Sequence, residues 1–262
     1  METLARFGYV AKGFVYGVIG ILALMTAFSV GGGKTTDTSG ALQSISQQPF
    51  GQVLLILIAV GLVGYVVFRL AQAVNDPENK GNDAKGIFTR LGYLLSGIAY
   101  AGVAVNAALL AFGNSSSSDG GSSSKQDWTA TVMQQPFGRW LVGIGGAIII
   151  GIGFYRIYQA YKIKFRKKLN LRDLDKKQED WLVNISRFGI AARGVVFIML
   201  GFFVVQAAHQ SNAQKVKGLD GALYTLTQQP FGKVLLTLMA LGLVAYAVYL
   251  LLQARYRRFK MS

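Results

Sequence analysis

Six long apolar runs limit what this chain can fold into more than any other feature of its sequence. A helix needs roughly 20 mostly apolar residues to cross a bilayer core about 30 Å thick. Charged residues make up 15% of the chain, against roughly 25% in soluble domains. The chain is therefore predicted to be an all-α integral membrane protein with six transmembrane helices. The six runs contain no Asp or Glu and cover residues 9–30, 53–74, 91–113, 140–161, 190–209 and 234–254.

The first apolar run has the position of a secretory signal peptide. It is longer than the apolar region of a signal peptide, which spans roughly 7–15 residues. A similar segment also recurs twice further along the chain. We therefore interpret the first run as a retained transmembrane helix.

The composition removes most kinds of catalytic and metal chemistry. The chain has no cysteine and a single histidine, His209, so thiol nucleophiles, disulfides and multi-histidine metal sites are excluded. Paired carboxylates, a Ser-His-Asp arrangement and a Walker loop are also missing from the sequence. The sequence predicts a protein that is not an enzyme and that uses no metal or cofactor.

A five-residue motif, Gln-Gln-Pro-Phe-Gly, occurs three times, and other features recur at fixed distances from it. Each unit opens with Arg, one residue and Gly, and closes with a Gln-Ala pair. Repetition of this kind marks a structure built from equivalent units. Units with an even number of spans insert in the same orientation. We predict a single membrane domain, 1–262, in which three parallel two-helix hairpins form a pseudo-threefold bundle. The repeats cover 4–74, 88–162 and 186–255, with a basic cytoplasmic linker at 163–185.

The repeated motif is predicted to turn the chain between a short interfacial helix and the next span. Proline disfavours helix in the residue before it, so the short helix should stop at the glutamines. The favoured interpretation is a helix stop with an interfacial aromatic anchor, and the alternative is an outer vestibule lined by glutamine. The residues concerned are Gln47, Gln48, Pro49, Gln134, Gln135, Pro136, Gln228, Gln229 and Pro230.

The net charge of +15 follows the predicted topology. Cationic residues near the ends of spans favour the cytoplasmic side. The face that holds the proline turns carries Lys34, Lys125, Arg139, Lys215, Lys217 and Lys233, and the other Lys and Arg residues lie on the opposite face. Both termini are therefore predicted to be cytoplasmic in a bacterial inner membrane. The linker is expected to be solvated and to touch anionic headgroups, and nucleic-acid binding has no supporting motif. The loop 114–125 is interpreted as a flexible connector.

Ionisable residues inside or at the ends of the spans are candidate functional groups, and all of them are cationic. Snorkelling of long side chains to the interface explains most of them. An arginine at a helix N-terminus opposes the helix dipole, however, and an anion held there would reverse that cost. We therefore expect anionic lipid or another anion to bind at the cytoplasmic face. The candidate residues are Arg6, Lys12, Arg69, Arg90, Arg156, Arg187 and Arg193.

Small and aromatic residues inside the spans are expected to serve packing. Gly13 and Gly17 form a G-x-x-x-G motif that allows close helix contact, either within the chain or in a dimer. The tyrosines inside the spans are interpreted as core residues without a cofactor role. The expected partners are anionic membrane lipids, with a second copy or another membrane protein as alternatives.

The triplicated pattern resembles the uncharacterised bacterial membrane family known as domain of unknown function 1206. The resemblance rests on the Arg-x-Gly openings, the Gln-Gln-Pro-Phe-Gly motif and the Gln-Ala endings, and it covers nearly the whole chain. The repeats differ at three places. Leu250 replaces the arginine of the other two repeats, Thr131-Val132 replaces an Ala-Leu pair, and Ser96 stands opposite Lys12 and Arg193. The resemblance implies a polytopic membrane protein of two-helix repeats and supplies no activity. Two functions stay open: a lipid-interacting scaffold or assembly partner, and a channel or transporter for small anionic or neutral solutes along the pseudo-threefold axis.

Overall fold

The computed structural model describes residues 2–30, 35–77, 81, 83–113, 122–169 and 175–257, and these contain nine α-helices and no strand. Lys34, Arg172 and the loop residues 114–121 lie outside the described residues, as do the side chains of 122–125. Three helices are short and precede the proline turns: α2 (Thr38–Ser46), α5 (Ser122–Met133) and α8 (Leu219–Thr227). The six long helices are α1 (Glu2–Phe28), α3 (Gly51–Val74), α4 (Ala84–Ala111), α6 (Gly138–Tyr161), α7 (Lys176–His209) and α9 (Gly232–Tyr256).

All six long helices are long and apolar enough to cross a membrane, as predicted. Three of them begin well before the apolar runs, because helical backbone continues into the polar flanks. The arginines predicted at helix N-termini therefore lie inside the helices: Arg187 lies about three turns into α7. That part of the argument for anion binding at Arg6, Arg90 and Arg187 is wrong.

The three Gln-Gln-Pro-Phe-Gly motifs form the same tight turn. In the first copy the amide of Gly51 donates to the carbonyl of Gln48 at 2.9 Å, and Phe50 has a left-handed backbone with φ +62°. This is a type II turn with proline at its second position. A Cβ at Gly51 would overlap the carbonyl oxygen of Ile45 at the end of α2. Glycine is therefore required where the chain passes under the preceding helix.

The long helices pack side by side in an open ring. α1 packs against α3 and α9, α3 against α4, α9 against α7, and α7 against α6. Within the described part of the chain, α4 and α6 do not pack against each other. The second repeat therefore differs from the hairpin predicted for it, and the ring is open between its two helices.

Residue size at equivalent positions explains why this one pair stays apart. A Cβ at Gly61 of α3 would lie only 2.7 Å from the Cβ of Ala11 in α1. Gly242 and Ala192 form the same close contact between α9 and α7. The equivalent residues of the second repeat are Ile148 and Leu95, which are 44% and 59% exposed. Two large side chains at these places prevent the close approach that glycine and alanine allow.

Clusters of packed side chains cover the two ends of the helix bundle, the one near the proline turns and the one near the linker. At the end near the proline turns, α2 and α8 insert Leu42, Ile45 and Leu223 into the core. At the opposite end, which we call the linker end, Phe165 and Leu169 are buried against Tyr249 and its neighbours. The linker was expected to be solvated, and this first part of it is instead packed under the bundle, because its two apolar side chains have a hydrophobic surface to cover.

Candidate anion site at the centre of the helix ring

Two of the three arginines that open the repeats cap neighbouring helices. Arg6 donates to the carbonyls of Ala254 and Arg255 at the end of α9, at 2.5 and 2.6 Å, and pairs with Glu2. Arg90 donates in the same way to the last carbonyls of α3. A cation is favourable at a helix C-terminus, where carbonyls lack partners. The guanidinium groups of Arg6 and Arg90 therefore stabilise the ring itself.

The third of these arginines is placed differently. Arg187 lies on a groove between α6 and α7, beside Asn184 and Tyr161. It has no hydrogen-bond or ion-pair partner among the residues that the structure describes. Of the three arginines, it is the one whose side chain remains available to an anion at the linker end.

Deeper in the ring, Lys12 is buried among aromatic side chains. It is 5% exposed. It lies six positions after Arg6, a distance of about 9 Å along a helix. Its ammonium donates to the hydroxyl of Tyr65 at 3.2 Å and lies 4.2 Å from the ring centre of Tyr100. Cation–π contacts of this kind compensate part of the cost of removing the charge from water.

Arg69 and Arg156 are equivalent residues with different surroundings. Arg69 donates to the hydroxyl of Tyr65 at 2.8 Å and to the side-chain oxygen of Gln72 at 2.9 Å. Four residues before Arg156 the chain has Ile152 in place of that tyrosine. Within the described chain, Arg156 has no hydrogen-bond or ion-pair partner. One substitution in the repeat thus leaves its guanidinium without the phenol that holds Arg69.

Arg193 lies in the centre, against aromatic rings from two helices. Its guanidinium carbon is 4.7 Å from the ring centre of Tyr16 in α1 and 4.6 Å from that of Tyr246 in α9. Its Nε and Nη1 atoms are buried and find no hydrogen-bond partner among the described residues. The residue as a whole is half-buried. Buried donor atoms without a partner are costly, so an acceptor placed at these two atoms would remove that cost.

No carboxylate of the described residues balances these charges. Lys12, Arg69, Arg156 and Arg193, which we call the central cations, form no ion pair within the residues described. Positive charge inside a membrane is expensive and marks functional sites. An anion entering this layer would gain from several cations at once and would satisfy the donors of Arg193.

The structure gives the tyrosines a role that the sequence analysis did not assign. Tyr65 and Tyr246 are buried core residues, as predicted, and Tyr16 and Tyr100 pack against the core. The rings of these four tyrosines also lie against Lys12, Arg69 and Arg193. The four-residue spacing of Lys12 to Tyr16 and of Tyr65 to Arg69 could have indicated this, because such pairs share a helix face.

The buried Arg257 was also missed. It donates to the hydroxyl of Tyr9 and is 6% exposed. Its backbone pairs with that of Leu169, so the end of α9 and the linker together cover the linker end of the bundle.

The glutamines and prolines of the turns lie apart from the central cations. Each is exposed at the opposite end of the ring. The phenylalanine beside each proline is also exposed, at 83%, 79% and 83% for Phe50, Phe137 and Phe231. The structure brings none of these residues into contact with the central cations. His209, at the end of α7, is exposed.

Comparison with known proteins places the chain in a family. A family described as Domain of Unknown Function (DUF1206) matches residues 7–76, 91–162 and 188–257. The chain belongs to this family. It is also 37% identical over 257 residues to the uncharacterized protein YxxB of Bacillus subtilis (strain 168), covering 98% of this chain and 91% of that protein. No solved structure matches the chain. The resemblance predicted from the three repeats is therefore confirmed.

Proposed function

We propose that this membrane protein binds an anionic group at the central cations. The observation that carries the proposal is Arg193, whose buried Nε and Nη1 atoms find no hydrogen-bond partner among the described residues. The central cations also form no ion pair within that part of the chain. Phosphate and carboxylate groups fit such a site, because both accept several hydrogen bonds from guanidinium and ammonium groups.

The proposal includes the arrangement in the bilayer. The three repeats insert as parallel two-helix units around a pseudo-threefold axis, with both termini in the cytoplasm of a bacterial inner membrane. The positive charge at the linker end supports this orientation.

Of the two functions considered, the lipid-interacting scaffold is favoured over an axial channel. A channel requires a hydrated path along the axis. Here aromatic rings from four helices pack together inside the ring: Tyr16 and Tyr246 stack edge to face at 5.1 Å, and Tyr65 and Tyr100 at 5.0 Å. The packed clusters at both ends of the ring also argue against an axial path.

The test measures the unfolding temperature of the detergent-solubilised protein with inorganic phosphate and with chloride at equal ionic strength. A ligand that binds the native state raises this temperature. We expect phosphate to raise it in the wild type, and Arg193→Gln to remove most of the increase. Arg255→Gln, at an exposed position on the same side, is the matched control and should retain it. Equal effects of phosphate on the wild type and on Arg193→Gln would contradict the proposal.

A further inference from the structure

The gap between α4 and α6 is lined by residues that are buried in the other two repeats. In the first and third repeats Val15 and Val196 are buried, at 3% and 7% exposed. The equivalent residue of the second repeat, Ala99, is exposed. On the facing helix Tyr65 and Tyr246 are 0% and 4% exposed, whereas the equivalent Ile152 is 42% exposed. We call this opening the α4–α6 gap; it is formed by Gly92, Leu95 and Ala99 of α4 and Ile148 and Ile152 of α6.

Glycine contacts identify the same opening. A Cβ at Gly8 would lie 2.6 Å from the Cβ of Tyr65, and one at Gly189 would overlap Tyr246. Among the described residues, a Cβ at Gly92 would meet nothing within 4 Å. The contact that closes the first and third repeats is therefore not made in this part of the second, and the apolar side chains of α4 and α6 are exposed there.

Two of the central cations belong to a helix that borders this gap or to the helix packed against it. Arg156 is on α6, one helical turn beyond Ile152, and Arg193 is on α7, the helix packed against α6. Both have guanidinium donors without partners among the described residues. The ends of the ring are packed, so the sideways opening is the route that leaves these donors within reach of the membrane.

We propose that an anionic phospholipid occupies the α4–α6 gap, with its phosphate at Arg156 and Arg193 and its acyl chains against Leu95, Ala99 and Ile148. The lipid proposal rests on the proposed function and names the class of ligand. Charge complementarity selects the occupant: the gap offers an apolar wall to hydrocarbon, and Arg156 and Arg193 have no counter-ion among the residues that the structure describes. A second copy of this chain would supply more apolar surface and more cations at the same level, and would leave the charges unbalanced.

The test compares binding of short-chain phosphatidylglycerol, short-chain phosphatidylcholine and inorganic phosphate to the detergent-solubilised protein. Two variants fill the gap, Ala99→Phe and Gly92→Leu, and Val60→Phe adds the same bulk on the exposed side of α3. We expect the wild type and Val60→Phe to bind phosphatidylglycerol at least about tenfold more tightly than phosphatidylcholine. Both gap variants should lose this preference for phosphatidylglycerol. Inorganic phosphate should still raise their unfolding temperature as it does in the wild type.

The outcomes separate the two proposals. Unchanged phosphatidylglycerol binding by both gap variants would overturn the lipid in the gap and leave anion binding intact. A response to phosphate that survives Arg193→Gln would instead overturn the proposed function. Disulfide-linked dimers of an Ala99→Cys variant in membranes would show a second copy in the gap, and would also overturn the lipid. A single Cys is unambiguous here, because the chain has no other cysteine.

Discussion

At the level of single residues, the glycine of the Arg-x-Gly opening is needed for helix packing in two repeats and not in the third. Gly8 and Gly189 allow the facing helix to approach, because a side chain there would overlap Tyr65 or Tyr246. Gly92 occupies the same place in the motif and has open space around it. The same motif residue is therefore structural in two repeats and dispensable for packing in the second.

This difference gives a prediction for matched alanine variants. Gly8→Ala and Gly189→Ala should lower the free energy of unfolding by roughly 1–3 kcal/mol, because the added methyl overpacks a tight contact. Gly92→Ala should leave stability unchanged or raise it by about 0.5–1 kcal/mol, because alanine is the better helix former. Thermal or denaturant unfolding in one detergent would measure all three. Equal destabilisation by the three variants would mean that α4 and α6 are packed like the other pairs.

At the scale of the element, helix neighbours are chosen by complementary small residues. A Cβ at Gly17 would lie 3.7 Å from the Cβ of Ala247, where α1 meets α9. A Cβ at Gly143 would lie 3.7 Å from that of Ala208, where α6 meets α7. Both separations suit a disulfide, for which Cβ atoms are typically about 3.8 Å apart.

Disulfide trapping should therefore reproduce the open ring. We expect the pairs Gly17→Cys with Ala247→Cys, and Gly143→Cys with Ala208→Cys, to form disulfides in membranes. The pair Gly92→Cys with Ile152→Cys, between α4 and α6, should remain reduced. Protection from a thiol-reactive polyethylene glycol would report each bond. Efficient bridging of the third pair would show that the gap closes in the bilayer.

At the scale of the whole molecule, the proposed orientation puts the linker end in the cytoplasm. A single cysteine at Phe137, in an exposed proline turn, should then react with a membrane-impermeant maleimide in intact cells. A single cysteine at Arg255, exposed at the other end, should react only after the membrane is opened. The reverse pattern would place the central cations nearer the outer leaflet and would contradict the predicted topology.

The six spans, the short helices before the turns and the three repeats could be predicted from the amino-acid sequence, because hydrophobic length and repetition are properties of the linear chain. The sequence also identified the cationic residues of the candidate site. It did not separate the capping arginines, Arg6 and Arg90, from the central cations Lys12 and Arg193, because that depends on which helix ends are neighbours.

The opening of the ring and the positions of its charges became visible in the folded chain, because both depend on contacts between distant helices. The exchange of glycine and alanine for Ile148 and Leu95 is visible in the sequence, but its effect appears only when α4 and α6 are compared with the packed pairs. Likewise, Tyr246 comes from a different helix than Arg193, and contacts between distant segments are fixed by packing of the whole chain rather than by local pattern.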